Sequence, residues 1–154
     1  MNKYEKLVEK CENMGAKVYE LDLCTSKPCG YCVDKNIYIN SRCTLKEKYC
    51  VLLEELGHHI TTYGGIINQA DLKNKKQELR ARRWGYEHSV SIAKIIKAFE
   101  NNALNISEMS DFLGVTEKYF LECLEHYKVK YGCDCKIDNY IIQFIPHFGI
   151  YKIF

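Results

Sequence analysis

Glu54-Glu55-Leu56-Gly57-His58 is the stretch whose reading decides the fold of this chain. A helix turns about 100° per residue, so positions four apart share a face. Glu54 and His58 therefore stand together, with Glu55 on their flank. A carboxylate and an imidazole at this spacing both offer lone pairs to a divalent cation. Around them Leu45, Tyr49, Leu52, Leu53, Leu56, Ile60 and Tyr63 recur at three- and four-residue steps, forming one apolar stripe. The pattern predicts a helix over about 44–63. It should bury the stripe and present Glu54, Glu55 and His58 to a cleft. Gly57 costs about 1 kcal/mol relative to Ala inside a helix, and a close approach by another backbone or a substrate would account for it. Taken alone, the five residues also fit an ordinary surface helix with some acids and a His pair.

A second block changes that balance. Glu78-Leu79-Arg80-Ala81-Arg82-Arg83-Trp84-Gly85 opens a segment that reads as helical to about Glu100, with Glu78, Ala81 and Gly85 towards one side. Small residues beside a carboxylate would let this helix pack closely on the first and deliver Glu78 to a shared metal. His58 and Glu78 are 20 positions apart, enough for the first helix to stop near Tyr63-Gly64-Gly65 and the chain to reverse.

The two blocks resemble the ImmA/IrrE family of small metallopeptidases, in the version carried by phages and integrative elements of Gram-positive bacteria. Glu55-Leu56-Gly57-His58 is similar to the core of the family's His-Glu-Leu-Gly-His-like helix, and Glu78-x-x-Ala81-x-x-Trp84-Gly85 to its second helix. The resemblance runs from about Tyr4 to the C-terminus and is strongest from Tyr49 to Tyr86. It implies a zincin-like α+β fold and cleavage of a partner repressor protein of the helix-turn-helix kind. Carried over by position, it makes Glu54, His58 and Glu78 metal ligands and Glu55 the general base. Glu54 stands where the family has His.

That departure has a chemical consequence. Two carboxylates and one imidazole nearly cancel the charge of a divalent metal, so its bound water is acidified less and a carbonyl is polarised less. Harder oxygen donors also weaken the preference for zinc and admit manganese or iron. Hydrolysis would be slower, or the site would serve for binding alone. His59, about 100° round the helix from His58, reads as a core-edge histidine before a ligand. His88 lies roughly 15 Å beyond Glu78 along a continuous helix, too far to join it.

Composition sets the outer limits. A chain of 154 residues makes one domain, or one with a small appendage, and can bury a normal core without a disulfide or metal staple. We expect a core over 1–100 and a C-terminal helical segment with a final strand over 101–154, packed as one domain. The content, 47% hydrophobic and 27% charged, is that of an ordinary globular protein, and a net charge of +2 steers towards neither nucleic acid nor membrane. No apolar run approaches the ~20 residues of a membrane span, and the opening residues read as amphipathic rather than as a signal peptide. The expected compartment is the cytoplasm. Cys29-Gly30-Tyr31-Cys32 has zinc-knuckle spacing, with Cys24 and Cys43 as conceivable partners, but Cys133-Asp134-Cys135 lies a hundred residues away with the wrong spacing. Nine cysteines, an odd number, are expected to be reduced thiols, several of them small core residues.

Elsewhere, Tyr4 to Met14 reads as a helix and Lys17 to Leu23 as a strand. Tyr31–Asp34 and Ile37–Asn40 read as a hairpin turning at Lys35-Asn36. The zincin-like fold that the resemblance implies places such an edge strand beside the site helix, where an extended substrate can add to it. A break falls at Asn101-Asn102. Ser107 to Phe120 resembles a helix-turn-helix with Gly114 in the turn, yet from Leu104 to Tyr127 five acids face only Lys118, the wrong sign for DNA. The resemblance implies that the segment packs on the protein or docks a partner. Ile141 to Pro146 reads as a final strand, followed by an aromatic tail to Phe154. The basic run Lys73, Lys75, Lys76, Arg80, Arg82 and Arg83 reads as a solvated helix face. Its rival reading is a nucleic-acid-binding module that uses the patch electrostatically. A third class is a metallopeptidase-like protein that binds its repressor without cutting it.

Overall fold

A computed structural model describes residues 1–25, 27–61 and 71–153. The chain divides into two units, Met1–Gly85 and Tyr86–Phe154. Its architecture is α+β, as the sequence predicts.

In the first unit, α1 (Lys3–Asn13) starts at a capping box in which the Asn2 side chain accepts from the Glu5 amide and Glu5 accepts from the Asn2 amide. Three strands follow: β1 (Lys17–Leu21), β2 (Gly30–Val33) and β3 (Asn36–Asn40). Their order is β1-β3-β2, with β1 parallel and β2 antiparallel to β3, so β2 forms one edge. Alternation along β3 sends Ile37 and Ile39 fully into the core, while Tyr38 stacks with Tyr19 and Tyr31 on the other face at 5.5 and 4.9 Å. The hairpin turns at Asp34-Lys35, with Asp34 at φ 55, one residue before the predicted turn. Asp tolerates this left-handed conformation because its short side chain can bond locally.

Helix α2 (Leu45–Thr61) starts at Thr44, whose hydroxyl accepts from the Glu47 amide at 3.2 Å while Glu47 accepts from the Thr44 hydroxyl at 2.9 Å. Tyr49, Leu52, Leu53 and Leu56 are buried against Tyr4, Leu7 and Cys11 of α1 and the inner face of β3, as the stripe predicts. Full burial of a leucine stabilises by about 1.5–3 kcal/mol, so this stripe is the main hold on the helix. Two described members of the stripe are exceptions: Leu45 is exposed in the first turn and Ile60 is half-buried. Tyr63 and the predicted Gly64-Gly65 stop lie outside the described residues. Helix α3 (Asp71–Ser89) carries the second block.

The second unit holds α4 (Ile92–Glu100), α5 (Ile106–Leu113) and α6 (Glu117–Tyr131), then an antiparallel meander of β4 (Asp134–Ile137), β5 (Tyr140–Gln143) and β6 (Gly149–Lys152). The segment expected to be helical from Glu78 to Glu100 is interrupted, because Ser91 takes an extended conformation and caps α4 by accepting from Lys94. The expected single final strand is the middle of three, and the aromatic tail contributes β6. The α5–α6 pair has the predicted turn: Gly114 adopts φ 73, which an L side chain would resist, and Thr116 caps α6. Among the described residues, no helix is long and apolar enough to cross a membrane.

Candidate metal-binding helix pair

Helix α2 presents two polar ridges to two neighbours. The first comprises Glu47, Val51 and Glu55, four apart and therefore in line. Gly30 of β2 sits directly over Val51: a Cβ there would lie 2.7 Å from the Val51 Cγ1 and 2.8 Å from the Tyr38 carbonyl. One turn towards the C-terminus, Glu55 follows the strand to Cys32. Burial, and then the neighbouring charge of Glu54, push the Glu55 carboxyl up to about 7. Burial raises the Cys32 thiol, and the Glu55 charge raises it further. Glu55 is thus a half-buried carboxyl beside the edge strand, poised to exchange a proton near neutral pH, as a general base requires.

The second carries Glu54 and Gly57 towards α3, with His58 one turn beyond Glu54. A Cβ on Gly57 would lie 2.3 Å from the Ala81 carbonyl oxygen and 2.9 Å from its carbon. The glycine is therefore required by a backbone approach, and Ala81 is the fully buried small residue that permits it. Beside this contact the Arg82 Nε lies 3.5 Å from the Glu54 Oε1. Glu78, one turn before Arg82, is exposed. His59 turns away, its Nε2 3.2 Å from the Met14 carbonyl at the end of α1, a packing role rather than a ligand's. Of the basic run, Lys76, Arg80, Arg82 and Arg83 are exposed, while the side chains of Lys73 and Lys75 lie outside those described.

The donor chemistry of Glu54, His58 and Glu78 fits a divalent cation: two carboxylates offset its charge and one imidazole adds a nitrogen donor. Arg82 competes for Glu54. A half-exposed ion pair contributes only about 0–1 kcal/mol, so a bound cation could displace it. The three donors are not gathered as a group with every ligand atom within 4.8 Å of the others. Among the described residues, Cys29, Cys43 and Glu47 are. The sequence offers Cys43 as a partner for Cys29, but Glu47 as their third member was not foreseen. A zinc knuckle needs a turn between its two cysteines, and here the chain after Cys29 enters β2 instead, leaving the Cys32 sulfur 3.4 Å from the Asp34 carbonyl. The nine cysteines form no disulfide.

No curated protein and no solved structure matches this chain. A family profile, peptidase M78 with the description IrrE N-terminal-like domain, matches residues 11–134, which include α2 and α3 entire. On that match the chain is a metallopeptidase-like protein and belongs to the peptidase M78 family.

Proposed function

We propose that this chain is a metal-dependent endopeptidase-like protein of a phage or mobile element, acting on a partner repressor. Glu54, His58 and Glu78 would hold the cation, zinc or another divalent ion such as manganese. When bound, such an ion polarises a carbonyl and acidifies water. Glu55 takes the proton of the attacking water and returns it to the leaving amine. An extended substrate would lie along the outer edge of β2, where main-chain bonds orient it beside Glu55. The observation that carries this reading is the backbone contact of Gly57 with Ala81, which seats the Glu78 helix against the Glu-Glu-x-x-His face.

One observation favours a second reading, a protein that binds its repressor without cutting it. Arg82 pairs with Glu54 and so neutralises the residue that replaces the family's first histidine. Incubating the full chain with the repressor encoded beside it, with and without chelator, separates the two. Chelator-sensitive cleavage that is lost in Glu55→Gln supports the peptidase. Tight binding without cleavage, persisting in Glu54→His loaded with zinc, selects the binder. Neither cleavage nor binding rules out the repressor as partner.

A further inference from the structure

We propose that Cys29, Cys43 and Glu47 form a second metal site, built for a single zinc-class cation and separate from the Glu54–His58–Glu78 set. The ligand atoms of all three lie within 4.8 Å of one another. Zinc–sulfur bonds of about 2.3 Å and zinc–oxygen bonds of about 2.0 Å, at tetrahedral angles, place sulfur and oxygen ligands about 3.5 Å apart and two sulfurs about 3.8 Å apart. The Cys29 sulfur stands 3.7 Å from the Glu47 Oε2, within a few tenths of an ångström of that edge.

The local fold explains why the three meet. Gly30 lies over Val51, so the residue before Gly30 faces the helix one turn earlier, at Glu47. Glu47 uses its Oε1 on the Thr44 hydroxyl and turns its Oε2 to Cys29, which leaves one oxygen for a cation. Asn40, fully buried, fixes both cysteines: its amide donates to the Cys29 carbonyl at 2.8 Å, and its carbonyl accepts from the Cys43 amide at 3.2 Å. Its side chain also accepts from Arg42 and donates to the Pro28 carbonyl at 3.2 Å. Such outer contacts hold ligands in place before a metal arrives. Thiols that only filled space would need no carboxylate between them. Sulfur donors exclude magnesium and calcium and favour zinc. Binding displaces the two thiol protons to solvent, and water completes the fourth corner. The bound ion would pin the leading end of β2 to the first turn of α2.

Cobalt(II) is the probe, because only a thiolate ligand gives a near-ultraviolet sulfur-to-cobalt charge-transfer band, and the Glu54 set contains no sulfur. The full reduced chain should show this band, saturating at one ion. Cys29→Ser and Cys43→Ser should each abolish or strongly diminish it. Glu47→Gln should weaken cobalt binding by at least about tenfold, the scale on which even outer-shell contacts act. His58→Gln should leave the band intact, so loss of the Glu54 set does not mimic loss of this site. Circular dichroism identifies any variant that fails to fold, and Glu47→Gln, which keeps shape, then carries the test. Three results would each overturn the proposal. They are no thiolate band at saturating cobalt, a band undiminished in both cysteine variants, or a reduced chain that ignores cobalt while air joins Cys29 to Cys43 as a disulfide.

Discussion

Replacing Gly57 with Ala tests the contact on which the candidate site depends. In an isolated helix Gly→Ala gains about 1 kcal/mol, so propensity alone predicts a more stable protein. Here the new methyl would lie 2.3 Å from the Ala81 oxygen and 2.9 Å from its carbonyl carbon, where ordinary contact begins at 3.4 Å. The obstacle is backbone, which has no rotamer to escape into, so α3 must retreat from α2 by about 1 Å at this point. Overpacking of this kind costs about 1–3 kcal/mol, and its upper part outweighs the gain in propensity. We expect a net loss of about 1–2 kcal/mol and a weaker affinity for zinc. Urea unfolding followed by the emission of Trp84, the single tryptophan and itself on α3, reads the first, and calorimetric zinc titration the second. Adding Ala81→Gly removes a Cβ but leaves the offending carbonyl, so it should not rescue the variant. A Gly57→Ala protein at least as stable as wild type, with unchanged zinc affinity, would refute the reasoning.

Arg82→Ala should change stability by under about 1 kcal/mol, as expected for an exposed ion pair, yet raise metal affinity by releasing Glu54. Unchanged affinity in a metal titration would show that Arg82 is no competitor. Glu55→Gln should lower any peptidase rate by about 10²–10⁴-fold while metal binding survives, checked by single-turnover cleavage beside metal analysis. In the second unit, burial pushes Glu87 up, but Lys130 and His126 outweigh it and hold the carboxyl below its usual range. Its contribution is therefore present above the unfolded carboxylate pKa and disappears as pH falls through the lowered folded value. Glu87→Gln should accordingly lower the urea midpoint at neutral pH and converge with wild type in acid. A difference independent of pH would exclude the linkage.

How much of this was legible in the sequence differs from element to element. Helix α2 was legible because Tyr49, Leu52, Leu53 and Leu56 mark one face so regularly that few other conformations would bury them together. Gly57 was legible as an anomaly: a helix interior that tolerates glycine needs a reason, and the Ala81 backbone is that reason. The β4–β6 meander was largely hidden. Its strands have four residues each and bury little, with Ile142 the one fully buried residue among them, so alternation has almost no amplitude to read. The Cys29, Cys43 and Glu47 cluster was legible only as a pairing of Cys29 with Cys43, and Glu47 was hidden for a different reason. The cluster's members come from a strand approach, a loop and a helix, so no fixed spacing links them. The local signal was Thr44-x-x-Glu47 next to Cys43, which announces a helix cap and hence the direction of Glu47. The Glu54–Arg82 pair depends on how α3 lies on α2, which neither helix states alone.

The two glycine contacts together explain how one helix can serve both its neighbours. Gly30 lets β2 close on Val51, and Gly57 lets the α3 backbone close on α2. At Gly57 the contact is with the Ala81 backbone, which cannot rotate away, whereas at Gly30 it is with the Val51 side chain and the Tyr38 carbonyl. Glu55 belongs to the ridge facing β2 and Glu54 to the side facing α3, with His58 between them. The roughly 100° step of α2 sets Glu54 apart from Glu55, while His58 lies about 60° from Glu55, and the two contacts fix what each side of the helix faces. It follows that lesions at the two glycines should differ. Opening the Gly57 side should disturb donors and metal affinity first. Opening the Gly30 side should disturb Glu55, the proposed substrate edge and the Cys29 cluster, while leaving the Glu54 pair with Arg82 in place.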